Sequence, residues 1–140
     1  MGNLQLTPHF HLVEFFTHDG TPVPDDHVND LRRFCKDVLE PLREEFGRCT
    51  VTSGYRHPAY NRRIGGAERS VHMFGRGHGI HGVAADVRFA RGSIRDWARA
   101  ADELLRRVRP PGGGLGVYDR PGGWIHVDSR ASLARWTGSG

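Results

Sequence analysis

The order of the predicted helices and strands is the feature that most constrains the fold of this chain. Apolar residues recur at helical spacing between Asp25 and Gly47, and again after Ser93. Two strands come last, at 114–119 and 124–128, and the residues RPGG between them indicate a hairpin. Because helices and strands do not alternate regularly, we predict a compact α+β domain with a small antiparallel sheet and helices packed on it.

Local signals set the bounds of the predicted elements. Pro41 interrupts the first helix pattern and is expected to kink it or split it in two. Ser93 predicts the start of the later helix, because an acidic residue follows three positions later in a near capping-box arrangement. Residues 49–53 and 86–89 are predicted to be strands, and residues 57–66 a brief helix.

The length of 140 residues suits one domain, which we assign to residues 1–140 with a flexible tail at 137–140. Hydrophobic residues make up 37% of the chain, and no apolar run approaches the roughly 18 residues of a membrane span. The N-terminal residues lack the basic start and apolar stretch of a secretory signal. We therefore expect a protein made in the cytoplasm without a signal peptide and with no membrane partner, and we expect a monomer.

The basic character of the chain bears on its partners. The net charge is +4, which suits contact with an anionic polymer such as nucleic acid or a bacterial cell wall. The basic residues are scattered, however, and no basic run is interleaved with stacking aromatic residues. We therefore predict no nucleic-acid partner.

The two cysteines, Cys35 and Cys49, are too few for a disulfide framework or a zinc knuckle. Cys35 falls on the predicted first helix, where a cysteine is typically a small buried apolar residue. The sequence leaves a bridge between the two open, although we expect none.

The nine histidines are the compositional signal that points to chemistry. A catalytic zinc ion takes three protein ligands and leaves one position for water. His72 and Asp86 lie in the Gly- and His-rich middle of the chain, and His126 lies on the predicted strand WIHVD, where Trp124 and Asp128 share its face. A single histidine on a strand is more often structural than a ligand, so spacing alone leaves the zinc site open.

Three sequence segments resemble a known family, and this resemblance favours a zinc-ligand role for the histidines over a structural one. They are VTSGYRHPAYNRRIGGAERSVHMFGR, AADV and GLGVYDRPGGWIHVDSRASLARW. The combination of SGYR-x-P-x-x-N, GG-x-x-x-S-x-H and HVD-x-R resembles the M15 family of zinc peptidases over about residues 8 to 136. This family comprises D-Ala-D-Ala carboxypeptidases and cell-wall endopeptidases, and its fold is related to that of the hedgehog signalling domain.

The resemblance implies a set of site residues. His72, Asp86 and His126 match the zinc ligands of the family, so the implied cofactor is Zn²⁺. Arg56 matches a basic residue that the family places near the substrate carbonyl or carboxylate, where it would stabilise negative charge during hydrolysis. Ser70, Asn61 and Tyr118 are the further candidates for substrate binding.

The spacing between the first two ligands departs from the family pattern. His72 and Asp86 are fourteen residues apart, whereas the family has seven. We interpret residues 77–83 as an insertion that bulges outward, because lengthening a surface loop costs only about 0.6 kcal/mol per doubling. The alternative is a shifted register in which His78 or His81 replaces His72.

The proton carrier is the second departure. Many relatives place an acidic residue three positions before the last histidine, where this chain has Gly123. Asp128 shares the face of His126 and is the first candidate, either as catalytic base or as a carboxylate that supports the ligand. A purely structural role for Asp128 stays open. The next candidates for the proton carrier are His78, His81 and Asp119.

The implied function is hydrolysis of amide bonds in peptidoglycan stem peptides, by a D-Ala-D-Ala carboxypeptidase or a cell-wall endopeptidase. Which bond is cut stays open. Without a signal peptide, a phage lysin-type enzyme released by lysis or carried on a virion is the expected setting. The alternative from another class is a non-catalytic zinc-binding recognition domain on the same fold.

Overall fold

The computed structural model describes residues 4–77 and 79–138 and confirms a single α+β domain. The strands are β1 Gln5–Thr7, β2 Phe10–His11, β3 Cys49–Ser53, β4 Ala84–Phe89, β5 Gly114–Tyr118, β6 Trp124–Asp128 and β7 Ala134–Thr137. The α-helices are α1 Val28–Phe34, α2 Glu40–Phe46, α3 Pro58–Arg63 and α4 Ile94–Val108. Short 3₁₀ turns occupy Leu12–Phe15, Asp25–His27 and Val71–Met73.

A five-stranded sheet forms the frame of the domain, with strand order β3-β4-β6-β5-β7. Its strands pair antiparallel except for β5 and β7, which are parallel. The predicted hairpin of β5 and β6 is present, and β4 lies on the other side of β6. Two predicted ligand-bearing strands, β4 and β6, are therefore neighbours in the centre of the sheet.

Strand β7 was not predicted, because its four residues ARWT show no alternation of apolar and polar residues. The flexible tail proposed from sequence begins at Thr137, the last residue of this strand. The Gly138 N–H still donates to the Val117 carbonyl, at 2.8 Å. Residues 139–140 of that proposed tail lie outside the described residues.

The backbone around Pro41 is helical from Val28 to Phe46, but it is not a regular α-helix. A π-helical segment, Cys35–Leu39, separates α1 from α2. The Glu40 N–H donates to the Cys35 carbonyl, five residues earlier. Pro41 has no N–H to donate to a carbonyl one turn earlier. The wider π-helical turn absorbs this interruption, so the backbone stays helical on both sides of the proline.

The core lies between the sheet and the helices. Fully buried side chains from the helices include Leu31, Leu39 and Leu105, and those from the sheet include Val87, Ile125 and Val127. Helix α4 begins as predicted, since Ser93 accepts from the Asp96 N–H and Asp96 accepts from the Ser93 N–H, both at 3.1 Å. Among the described residues, no helix combines the length and the apolar character that crossing a bilayer requires.

Both cysteines are buried free thiols, and burial raises the pKa of Cys35 and of Cys49 far above the usual value. The thiolate is the form that attacks a thiol reagent, so both cysteines should be protected in the native protein. We expect almost no reaction with Ellman's reagent under native conditions and two thiols per chain in guanidinium chloride. Fewer than two thiols after unfolding without a reductant would instead indicate a disulfide.

Candidate metal centre

Three buried side chains converge where the central strands meet the turn at residues 71–73. His72, Asp86 and His126 are 3%, 7% and 6% exposed, and one ligand atom from each forms a group that can hold a metal ion. Asp86 and His126 lie directly opposite each other on β4 and β6. Directly opposed residues of an antiparallel pair project from the same face, so the register alone brings these two side chains together.

The turn that carries His72 is held by hydrogen bonds at both sides. Ser70 caps it, with its hydroxyl accepting the His72 N–H at 3.1 Å. The His72 carbonyl accepts the Arg56 N–H at 2.7 Å. Phe74 ends the turn in the left-handed region, with φ at 54°, which is uncommon for a residue other than glycine. The backbone of His72 is thus fixed from outside the sheet.

The ligand atoms form a nearly equilateral triangle. His72 Nε2 lies 3.2 Å from Asp86 Oδ1 and 3.1 Å from His126 Nδ1, and those last two atoms are 3.0 Å apart. Two ligands bound to tetrahedral zinc at 2.0–2.1 Å lie about 3.3 Å from each other. The triangle therefore has the size that three ligands of one small cation require.

The second ring nitrogen of each histidine has its own acceptor. His72 Nδ1 lies 2.7 Å from the Gly54 carbonyl oxygen, and His126 Nε2 lies 2.7 Å from Asp128 Oδ2. Because both partners are acceptors, each of these nitrogens carries the hydrogen. The lone pairs of His72 Nε2 and His126 Nδ1 are left to face Asp86, as in the carboxylate–histidine–metal arrangements of metal enzymes.

The electrostatics of this group call for a cation. Burial lowers the pKa of His72, which favours the neutral ring that a metal needs. Burial alone would raise the pKa of Asp86, but His72 and His126 outweigh it and hold it far below its usual range, so the carboxyl is ionised. Burial would likewise lower the pKa of His126, but Asp128 and Asp86 raise it. The carboxylates thus favour positive charge at this point, and a divalent metal ion held by His72, Asp86 and His126 would supply it in place of a proton on His126.

A cavity of about 420 Å³ opens beside the three side chains. Arg56, Arg69 and Arg130 contribute its positive charge. Its remaining walls come from Ala67, Ser70, Val71, Ile80, Tyr118, Trp124 and Trp136. The metal-binding atoms are thus reached through a cleft of the size that takes a small ligand or a few peptide residues.

Comparison with known protein families gives a result that agrees with this geometry. The family model described as Peptidase M15 matches residues 19–128, which is most of the chain. The chain belongs to the M15 peptidase family. A comparison with curated proteins and one with solved structures each gave no match. Since M15 peptidases are zinc-dependent, the family and the donor set point to the same kind of metal centre.

Arg56 of this M15 peptidase lies beside the metal-binding group. Its guanidinium is 3.7 Å from Asp86 Oδ2, and its Nε donates to the Ser53 hydroxyl at 3.2 Å. The side chain is largely buried, yet it forms part of the cavity wall. A guanidinium in this place is able to meet a carbonyl oxygen of a bound peptide.

The three other predicted substrate-binding residues separate into two groups. Ser70 and Tyr118 line the cavity, Ser70 beside His72 and Tyr118 against Trp124 and Trp136. Asn61 does not line the cavity; it is 2% exposed, and its amide donates to the Ala67 carbonyl at 2.9 Å. These contacts place Asn61 where it shapes the loop that follows α3, and its role in substrate binding stays a prediction.

Of the two alternatives to His72 as first ligand, one lies among the described residues. His81 is exposed and lines a separate cavity of about 320 Å³ near α1 and α4, so it does not join the metal-binding group. His78, the other alternative, lies outside the described residues. Among the described histidines, His72 is the one that meets Asp86 and His126.

The insertion at 77–83 does not simply bulge outward. Val83 is completely buried, with its N–H donating to the Ser129 hydroxyl at 2.9 Å and its carbonyl accepting from the Ser129 N–H. Ile80 is half-buried, packs against the hydrophobic core and lines the metal cavity. The second half of the insertion is therefore part of the folded domain and of the cavity wall.

Asp128 supports His126 and does not face the cavity. The residue is 0% exposed, and besides His126 it accepts Arg130 Nε at 2.9 Å and Arg130 Nη2 at 2.8 Å. Burial would raise the pKa of Asp128, but the hydrogen bonds from His126 and Arg130 outweigh it and hold it far below its usual range. Of the roles left open by the sequence, these contacts favour the supporting carboxylate over the catalytic base.

Two glycines on β5 make room for this support. A Cβ at Gly114 would collide with the Asp128 carboxylate, and a Cβ at Gly116 would collide with the indole of Trp136. The Trp136 ring thereby packs against His126, at 5.0 Å between centroids. In the sequence, the two glycines at alternate positions of a strand indicate that bulky groups lie against that face. Trp136 could not be identified as one of these groups, because β7 was not predicted.

Replacing Asp128 by asparagine is expected to weaken zinc binding by about 10- to 100-fold. An amide has no charge to hold the ring of His126 in the tautomer that exposes Nδ1, and it leaves the Arg130 guanidinium without its partner. Competition with a chromogenic chelator measures the Kd.

The matched control for this measurement is Asp102→Asn. Asp102 also accepts from two arginines, Arg106 at 3.0 Å and Arg135 at 2.8 Å, but it lies on α4 outside the metal group. Its variant should bind zinc like the wild type. Equal Kd values for Asp128→Asn and Asp102→Asn would contradict the supporting role.

Proposed function

We propose that this protein is a zinc peptidase that hydrolyses amide bonds in peptidoglycan stem peptides, with His72, Asp86 and His126 as zinc ligands. One observation carries the proposal: three ligand atoms converge at 3.0–3.2 Å while both histidines are fixed through their other nitrogens. Membership of the M15 peptidase family supplies the reaction class. The substrate is the family's characteristic one, and the bond that is cut stays open between carboxypeptidase and endopeptidase activity.

The chain's own residues have separate roles in the proposed reaction. Bound zinc would supply Lewis acidity, polarising the scissile carbonyl and lowering the pKa of water. Arg56 would stabilise the negative charge that develops on the carbonyl oxygen, because its guanidinium lies beside the ligand group. Asp128 holds His126 in position, and Ser70 holds the turn of His72.

Tyr118 is placed to donate a hydrogen bond to the substrate. Its hydroxyl oxygen accepts the Trp136 indole N–H at 3.0 Å, and its ring stacks on Trp124 at 4.8 Å. Among the described residues the Tyr118 hydroxyl only accepts, from Trp136, so its proton is available to a carbonyl oxygen in the cavity. We therefore propose Tyr118 as a substrate-binding residue that orients the peptide over the metal.

The scarcity of proton acceptors among the described residues of the cavity is the observation that favours the rival function. Among the described residues, Asp86 is the only carboxylate that lines the cavity, and Asp119 pairs with Arg95 on the surface. Position 123, where many relatives carry an acid, is a buried glycine. A non-catalytic zinc-binding recognition domain would need no proton acceptor. The peptidase is the stronger proposal because Arg56 and the cavity are present together with the ligand group.

Turnover of purified peptidoglycan separates the two functions. The zinc-loaded protein should release peptide fragments detectable by mass spectrometry, lose this activity with a chelator and regain it with zinc. His126→Ala should be inactive, whereas His11→Ala, which changes an exposed histidine outside the ligand group, should keep full activity. Zinc binding without any turnover would favour the recognition domain.

The expected setting is the bacterial cell wall, reached after lysis or on a virion. The net charge of +4 would favour adsorption to an anionic wall polymer. Such adsorption weakens as salt screens the charges. Retention on purified walls that is unchanged between 50 mM and 500 mM salt would contradict electrostatic adsorption and leave the peptidase proposal standing.

A further inference from the structure

We propose that Arg69 is a specificity-determining residue that binds a carboxylate of the peptide substrate. The inference rests on the proposed peptidase function and names a charged group that its substrate must carry. Arg69 lines the metal cavity, on the loop between α3 and the turn of His72. It is not one of the residues that hold the metal group or its supporting contacts.

The charges around the cavity single out Arg69. Arg56 lies 3.7 Å from Asp86, and Arg130 makes a two-pronged ion pair with Asp128. These two guanidiniums therefore have carboxylate partners within the protein. Within residues 4–77 and 79–138, Arg69 forms no ion pair, so its charge is left for a ligand.

The backbone that presents Arg69 is held in place by Asn61. The Asn61 amide donates to the Ala67 carbonyl at 2.9 Å, and the Asn61 carbonyl accepts the Gly66 N–H at 2.9 Å. The Ser70 N–H in turn donates to the Ala67 carbonyl at 3.1 Å. Although the Arg69 side chain is exposed, it extends from a loop fixed at both ends, which lowers the entropy cost of holding an anion.

A carboxylate is the anion that this arrangement fits in a peptide substrate. A guanidinium presents paired N–H donors that match the two oxygens of a carboxylate. A bound divalent metal would exceed the single negative charge of Asp86, so the loaded cavity would attract negative groups. Two parts of a stem peptide have this chemistry: the α-carboxylate at the C-terminus, and the free carboxylate of an internal D-glutamate.

Matched peptides distinguish the two sources. A stem pentapeptide ending in D-Ala-D-Ala is compared with its C-terminal amide, and separately with the peptide that carries D-isoglutamine in place of D-glutamate. For wild type we expect kcat/KM to fall by about tenfold or more when the recognised carboxylate is neutralised, because bonds to charged groups are the stronger kind. Arg69→Gln should remove that preference while Arg62→Gln, an exposed arginine outside the cavity, should keep it.

A binding measurement gives a readout that does not depend on turnover. Isothermal titration of N-acetyl-D-alanine and its amide into the zinc-loaded protein should show a preference for the acid that Arg69→Gln loses and Arg62→Gln keeps. The same comparison with an N-acetyl-D-glutamate derivative tests the internal carboxylate. If peptides are cleaved but neither carboxylate is preferred, or the preference survives in Arg69→Gln, the inference fails alone. If no peptide is cleaved, the proposed function fails, and the titration still decides the role of Arg69.

Discussion

Zinc is expected to raise the Tm of the wild-type protein by roughly 10 °C when free metal exceeds the Kd about a hundredfold. At that excess, a ligand that binds only the folded state adds about 2.7 kcal/mol to the free energy of unfolding. For a domain of this size, each kcal/mol shifts the Tm by roughly 4 °C.

Differential scanning calorimetry with added zinc and with a chelator measures this shift. His126→Ala removes one of three ligands and should reduce the zinc-induced shift to less than about 2 °C at the same metal concentration. His11→Ala changes an exposed histidine and should behave like the wild type. Because the quantity compared is the difference made by zinc, any change in the stability of the metal-free variant cancels. The same shift in wild type and His126→Ala would place the metal elsewhere.

Arg56→Gln is expected to lower kcat by about 10²- to 10³-fold, the usual cost of removing one group that stabilises a developing oxyanion. Glutamine retains hydrogen-bonding capacity but no charge, so the electrostatic part of the stabilisation is lost. Steady-state kinetics on a soluble stem peptide at saturating zinc measure the effect.

Two controls keep this result specific to the chemistry. Arg56 lies 3.7 Å from Asp86, so the zinc content of the variant has to be measured alongside its rate. Arg107→Gln removes an exposed guanidinium of α4 and should leave kcat unchanged. A zinc-loaded Arg56→Gln protein with kcat within threefold of the wild type would exclude Arg56 from the reaction.

The pair Asp86 and His126 is the part of the site that sequence patterns predict best. Strand alternation places His126 on a definite face of β6, and the strand predicted at 86–89 falls within β4. His72 is different, because it reaches the site from a turn fourteen residues away from Asp86. Only the resemblance to a family pattern, and not local spacing, indicated that it belongs there.

The features that sequence patterns missed depend on contacts between distant segments. Trp136 reaches the site because β7 pairs with β5 in parallel, and a strand of four residues gives no local sign of its partner. Ile80 lies in the cavity wall because the nearby Val83 is hydrogen-bonded to Ser129, a residue distant in sequence, and this contact holds the segment against the domain. Alternation put Asp128 on the face of His126, but it could not say that both its oxygens are engaged by His126 and Arg130.

The central claim is that zinc is bound by His72, Asp86 and His126, and a crystal structure of the zinc-loaded protein tests it most directly. Data collected on both sides of the zinc absorption edge should give one anomalous peak at about 2.0–2.2 Å from His72 Nε2, Asp86 Oδ1 and His126 Nδ1. A peak bound by His78 or His81 in place of His72, or no peak between β4 and β6, would contradict the account.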